Sequence, residues 1–204
     1  MDDAQCTASR LTPEQIDELV KELGGDEVVL KVLRREFTVS VRAWREQDGI
    51  VYFSVTSNGR TGEQWITYFE SKGINLAQYE KDVLRSKDFK PTSGITTEIA
   101  VLKGSLFTDK NRVISKIRDA ASERKLTRPN PEVAGLIREM FTDEEIEVMG
   151  LSSIYVMHEP IEDCYGNSLL LGASRSIGGR WLHACYGNPD SRRNHDDGFA
   201  FVVP

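Results

Sequence analysis

Apolar residues recur every three to four positions in some stretches of this chain and alternate in others, and the change of period divides it. Ile16, Leu19, Val20 and Leu23 share one helical face. Thr12, Pro13 and Gln15 stand at its start as a capping box, in which the Thr hydroxyl and the Gln side chain each take a free backbone N–H; Gly24-Gly25 ends it. Asp26 is placed to cap a second helix with Val29, Leu30 and Leu33 on one face. After Phe37 the period drops to two, with Thr38, Ser40 and Arg42 set against Val39, Val41 and Ala43. A further strand, Ile50 to Thr56, follows the turn Gln47-Asp48-Gly49, so a hairpin is expected.

Thr61 with Gln64 opens another helix, whose Trp65, Tyr68 and Phe69 form a core-facing stripe. The preceding SNGRTG matches neither phosphate-loop pattern, and Asn58-Gly59 reads as a turn. A helix from Asn75 carries Tyr79, Val83 and Leu84. Turn formers crowd residues 86–94, which mark a domain boundary. Beyond it come a strand, Ile95 to Lys103, and a helix opening at Asp109 with Val113, Ile114, Ile117 and Ala120 on one face. Asn130-Pro131 caps a further helix, and Thr142 with Glu145 a last one that stops at Gly150.

After Gly150 four short apolar runs, Ile154–His158, Leu169–Ala173, Trp181–Tyr186 and Phe199–Val203, are separated by turns and by a polar loop, Gly187 to Gly198. The expected class is therefore α+β. Residues 1–10 are expected to be disordered, residues 11–88 to form a small α+β domain, and residues 95–204 a second domain with a small antiparallel sheet.

Composition narrows the function. A net charge of −6 and a pI near 5.2 disfavour a nucleic-acid partner, because affinity for phosphate backbones comes from Lys and Arg. No run of 18 apolar residues and no leader-like N-terminus is visible, so the expected place is cytoplasmic or within an assembled particle. Cys6, Cys164 and Cys185 suggest free thiols rather than a disulfide framework. Cys164, His183, Cys185 and His195 lack the paired spacing of a zinc site, so neither metal nor cofactor is expected.

The tail is unusual. Lys, Glu, Gln and Met together number 37, and all lie at or before Glu162; the 42 residues from Asp163 onward contain none, where an even spread gives about eight. Strand and turn preferences explain part of this deficit. What remains resembles an antibody paratope, rich in Tyr, Ser, Gly, Asn and Arg.

Gly178-Gly179-Arg180-Trp181, the polar stretch around Asn188-Pro189-Asp190 and the terminal Gly198-Phe199 resemble the closing pattern of the C-type-lectin-like domains found in the formylglycine-generating enzyme family and in the variable proteins of diversity-generating retroelements. Arg180 and Ala200 stand where Ser and Arg are usual. The retroelement branch implies positions diversified through NNC codons, which cannot encode Lys, Glu, Gln, Met or Trp; Trp181 is the single exception in the tail. The resemblance implies a non-enzymatic binding protein with Trp181, Phe199 and Phe201 as scaffold. Ser174, Ser176, His183, Tyr186, Asn188, Ser191, Arg192, Asn194 and His195 would meet a protein or cell-surface ligand. The N-terminal domain would then be an adaptor or assembly module, consistent with an oligomer. The alternatives are an oxidase of the formylglycine-generating type using Cys185, with His183 two residues away, and a structural protein with no diversified site.

Overall fold

Backbone capping places most helices where the sequence signals them. The structure is a computed structural model describing residues 11–36, 42–176 and 178–204; the disorder expected for residues 1–10 and most of the strand expected from Thr38 lie outside these. The chain divides into two units, Met1–Arg42 and Ala43–Pro204.

In the first unit, α1 (Pro13–Glu22) starts on the Thr12/Gln15 capping box, with both reciprocal hydrogen bonds formed. Helix α2 (Asp26–Leu33) is preceded by Gly25 as its cap, so Asp26 stands in the first turn, where its charge meets the positive end of the helix dipole. Neither helix has a fully buried residue.

The second unit opens with β1 (Arg45–Gln47) and β2 (Ile50–Asn58), joined by a two-residue turn in which Asp48 (φ 53°) and Gly49 (φ 74°) are both left-handed. That is the geometry a tight hairpin requires. There follow α3 (Gly62–Ser71), α4 (Gln78–Arg85), β3 (Ser93–Lys103), α5 (Ile114–Glu123), α6 (Glu132–Met140) and α7 (Asp143–Val148). Strands β4 (Ser153–Val156), β5 (Ile161–Glu162), β6 (Ser168–Ser176), β7 (Gly179–Tyr186) and β8 (Asp197–Val202) complete the chain. Two helix starts differ from expectation. Asp109 pairs with Arg112 at 3.1 Å five residues ahead of α5, and Asn75 bridges to Trp181 ahead of α4.

The described residues form the expected α+β class, with an eight-stranded, mostly antiparallel sheet. The sheet runs β1-β2-β3-β8-β4-β6, with β5 beyond β4 on one edge of β6 and β7 on its other edge. The pairing of β4 with β8 is parallel. The boundary expected at residues 86–94 must be corrected. β2 and β3 pair across that segment, with Val51 opposite Val101 and Phe53 opposite Ile99. Turn composition marks a loop, but it cannot distinguish a linker between domains from a connection between neighbouring strands.

Side-chain alternation gives the sheet two buried faces. On one, Val51, Phe53, Ile99, Val101, Ile154, Leu171 and Leu182 pack beneath α3, α4, α6 and α7. On the other, Leu102, Phe199, Phe201, Met157 and Leu170 pack with Ile114 and Ile117 of α5. Only part of this second face is covered, and the uncovered part positions the candidate site.

Candidate functional site

Register across four strands turns the second face from apolar to polar within three rows. Phe201, Met157, Leu170 and Cys185 belong to the cluster with α5. The next row is Phe199, Tyr155, Gly172 and His183, and the last is Asp197, Ser153, Ser174 and Trp181. Past the reach of α5 this last row forms an open bowl of about 440 Å³, lined by Ser152, Ser153, Tyr155, Ser174, Arg175, Ser176, Trp181, His183, Asn194 and Asp197.

The bowl is a built feature. Gly172 is required because a Cβ there would sit 2.7 Å from Tyr155 Cδ1, so the tyrosine ring lies across the glycine. Burial pushes the Tyr155 phenol up to about 12, so it stays a neutral hydroxyl. The Ser153 and Ser174 hydroxyls meet at 2.8 Å. Asp197 is 2% exposed; it accepts the Asn194 N–H at 2.8 Å and the Ser152 hydroxyl at 3.4 Å. Burial raises the Asp197 carboxyl above its ordinary value, against the Asn194 N–H and the charge of Arg193.

The loop from Gly187 to Asp196 is held by groups outside the tail. Pro189 O accepts the Ser115 N–H at 2.9 Å and Ser191 O the Ile114 N–H at 3.2 Å, capping α5, which has no side-chain cap. Arg193 N–H donates to Arg112 O at 3.0 Å. Gly104 lets the loop approach closely, since a Cβ there would lie 2.4 Å from Asn194 O. Buried Arg112 fixes that contact from below by donating to Gly104 O and Phe107 O. The loop backbone is thus pinned while Asn188, Arg192, Asn194 and His195 keep exposed side chains.

A second, smaller cavity of about 210 Å³ lies on the opposite face of the sheet, the face to which Leu169, Ala184 and Tyr186 point, and shares His183 of the edge strand with the bowl. Tyr79, Asp163, Asn167, Leu169, Ala184, Cys185 and Tyr186 complete it. Beside it the outer edge of β7 is closed. Arg180 O accepts the Asn75 N–H at 2.8 Å, Leu182 N–H donates to Asn75 O at 3.2 Å, and Ala184 N–H donates to Glu80 Oε1 at 2.6 Å. Glu80 is buried at the start of α4, takes the Ala77 N–H as well, and lies 3.6 Å from His183 Nδ1. Arg193 Nη2 donates to Tyr186 O at the strand end.

Of the nine residues expected to meet a ligand, Ser174, Ser176, His183 and Asn194 line the bowl, and His183 and Tyr186 line the smaller cavity. Asn188, Ser191, Arg192 and His195 stand on the loop outside both, with Ser191 half-buried. Phe199 and Phe201 are buried as scaffold. Trp181 is not: it is half-buried, its ring lines the bowl, and its Nε1 has no partner. Ser152, Ser153, Tyr155, Arg175 and Asp197 were not legible as site residues, because it is the registers of β4 with β6 and β8 that bring the first three beside the tail.

Cys185 is buried on the face covered by α5, and burial pushes its thiol up to about 12. Cys164 is exposed, its Sγ 3.7 Å from Asp82 Oδ2. Among the described residues no three His, Cys, Asp or Glu side chains converge as a metal site would require. Nor is any helix there long and apolar enough to cross a membrane. Comparisons with protein-family models, with curated proteins and with solved structures give no match to this chain.

Proposed function

We propose that the protein is a ligand-binding protein displaying a diversified C-terminal surface, a variable protein of the diversity-generating retroelement type with a C-type-lectin-like fold in its C-terminal part, directed at a protein or cell-surface target. One observation carries this. The residues from Asp163 onward, free of Lys, Glu, Gln and Met, put exposed polar side chains on a backbone pinned by Gly104, Arg112 and the first turn of α5. Recognition on an adaptable set of side chains needs such a frame, because a rigid backbone lowers the ordering cost of binding.

The oxidase reading asks Cys185 to supply a thiolate. A buried thiol raised to about 12 is protonated at neutral pH and a poor nucleophile, so the observation favours binding over that chemistry.

Sequencing the DNA beside the gene tests the proposal. A near-identical repeat of the segment encoding the tail, differing from it at adenines in codons such as those for Ser176, Asn188 and Asn194, together with a reverse transcriptase gene, is the expected result. A locus with neither would overturn it in favour of a structural protein with a turn-rich sheet.

A further inference from the structure

Among the described residues, large apolar side chains that stay exposed are not spread evenly along the chain. Leu11, Ile16, Leu19, Leu30 and Leu33, 47–72% exposed, all belong to the first unit. The six of the second unit stand singly: Tyr79 on α4, Ile95 on β3, Leu106 in the short turn after β3, Val148 on α7, Tyr165 before β6 and Tyr186 on β7. Scattered in that way they need no explanation, but gathered on a two-helix unit they mark an interaction surface.

The two helices cannot account for their own stability. Val20, Leu23, Val28, Val29 and Val32 are half-buried, and no residue of α1 or α2 is fully buried. On α2 the apolar arc extends past those valines to Leu30 and Leu33, and a helix apolar over more than one face packs on more than one neighbour. At ten and eight residues both helices are shorter than the roughly 12–15 that isolated helices need in water. Units below about 40 residues hold their fold through disulfides, metals or association. The first unit, Met1–Arg42, is barely longer and has a single cysteine, Cys6, and no cluster of metal ligands among its described residues. Association is what remains, and the second unit gathers no matching apolar patch among its described residues.

Charge selects the partner. Helix α1 is acidic, with Glu14, Asp17, Glu18 and Glu22 against Lys21, whereas the end of α2 gathers Lys31, Arg34 and Arg35. Another copy of the same unit supplies both the leucines and the opposite charges. Laying α1 on α1 would instead set carboxylates against each other, so the pairing that fits is α1 on α2. We propose that the first unit is a self-association module, through which two copies of this chain pair about a two-fold axis, α1 of each along α2 of the other. The proposal does not depend on the ligand-binding reading. Joined to it, two copies present two C-terminal surfaces, and a target bearing repeated sites is held by both at once.

Sedimentation equilibrium of the full chain over a wide concentration range tests this. The expected result is a monomer–dimer equilibrium whose upper mass is twice 23.0 kDa. Leu30→Asp/Leu33→Asp should raise the dimer Kd about thirtyfold or more, the scale of a hot-spot loss. All three tryptophans lie in the second unit, so unchanged tryptophan fluorescence shows that its fold is intact. Because those substitutions also weaken the helices themselves, a charge test accompanies them. Glu14→Lys/Asp17→Lys/Glu18→Lys and Lys31→Glu/Arg34→Glu/Arg35→Glu should each weaken self-association about tenfold, and mixing the two variants should restore it. Repair within one copy cannot explain recovery on mixing. A monomer at every concentration, a mass above two chains, a dimer indifferent to the leucine pair, or no recovery on mixing would overturn the proposal. Each of these outcomes leaves the ligand-binding reading standing, since that is decided by the DNA beside the gene.

Discussion

The two ends of one sheet face make the most instructive comparison in this molecule. Strands β8, β4, β6 and β7 run through both ends, with the same alternation and the same neighbours. Beneath α5 the positions hold Phe201, Met157, Leu170 and Cys185, all buried. Two rows away they hold Asp197, Ser153, Ser174 and Trp181, open to a bowl. The strands are equivalent and the cover is not. Where a helix lands, the row must be apolar and volume-matched; where it does not, the strands can carry hydrogen-bonding groups such as the paired Ser153 and Ser174 hydroxyls.

The largest effect should come from the covered end. Phe199 is fully buried and meets Phe107 edge-on at 6.1 Å. Phe199→Ala should cost about 3–5 kcal/mol, measured by urea unfolding. A loss under about 1 kcal/mol would abolish the contrast between the two ends.

Acid should expose a second cost of dry burial. His158 is fully buried; its Nε2 accepts the Leu171 N–H at 3.0 Å, which leaves Nδ1–H to donate to Glu159 O at 2.6 Å. Burial, aided by Arg118, pushes its imidazole down from 6.5 to about 3. The folded state therefore keeps it neutral while the unfolded chain takes up a proton near pH 6.5. Its contribution is complete above that pH and is lost as pH falls toward 3, by up to about 1.4 kcal/mol per unit. Unfolding midpoints between pH 6.5 and 5, above most carboxylate titration, should show this slope in the wild type and a flatter one in His158→Leu. Equal slopes would mean that the site is wetter than its burial indicates.

Smaller effects should mark the open end. Trp181→Ala should cost about 1–2 kcal/mol, less than a fully buried aromatic, because one side of its ring already faces the bowl. Ser176→Ala, Asn188→Ala, Arg192→Ala and His195→Ala should each stay within about 0.5 kcal/mol. If those four cost as much as Trp181, the loop is structural and the distinction between frame and display fails.

Much of this was legible where the physics is local. The capping boxes at Thr12, Thr61 and Thr142 formed as read, since each needs only a hydroxyl, a backbone N–H and a side chain three residues on. Asn75 was misjudged as a helix start because its partner, Trp181, is remote in the chain. Glu80 gave no sequence signal for closing β7, since it reaches Ala184 across 104 residues. Ser153 and Tyr155 looked like ordinary strand positions until the parallel pairing with β8 set them beside Asp197 and Phe199.

The sequence by itself determined the helix starts that carry a capping box, the alternation that sorts side chains onto two faces, and a tail whose composition suits display. The tertiary structure alone decided which rows of a face stay open, where the smaller cavity lies, and that the strands on either side of residues 86–94 belong to one sheet. Alternation depends on backbone pleat, a property of neighbouring residues. Cover depends on registers between strands far apart in the chain, and those are selected by packing of the whole unit.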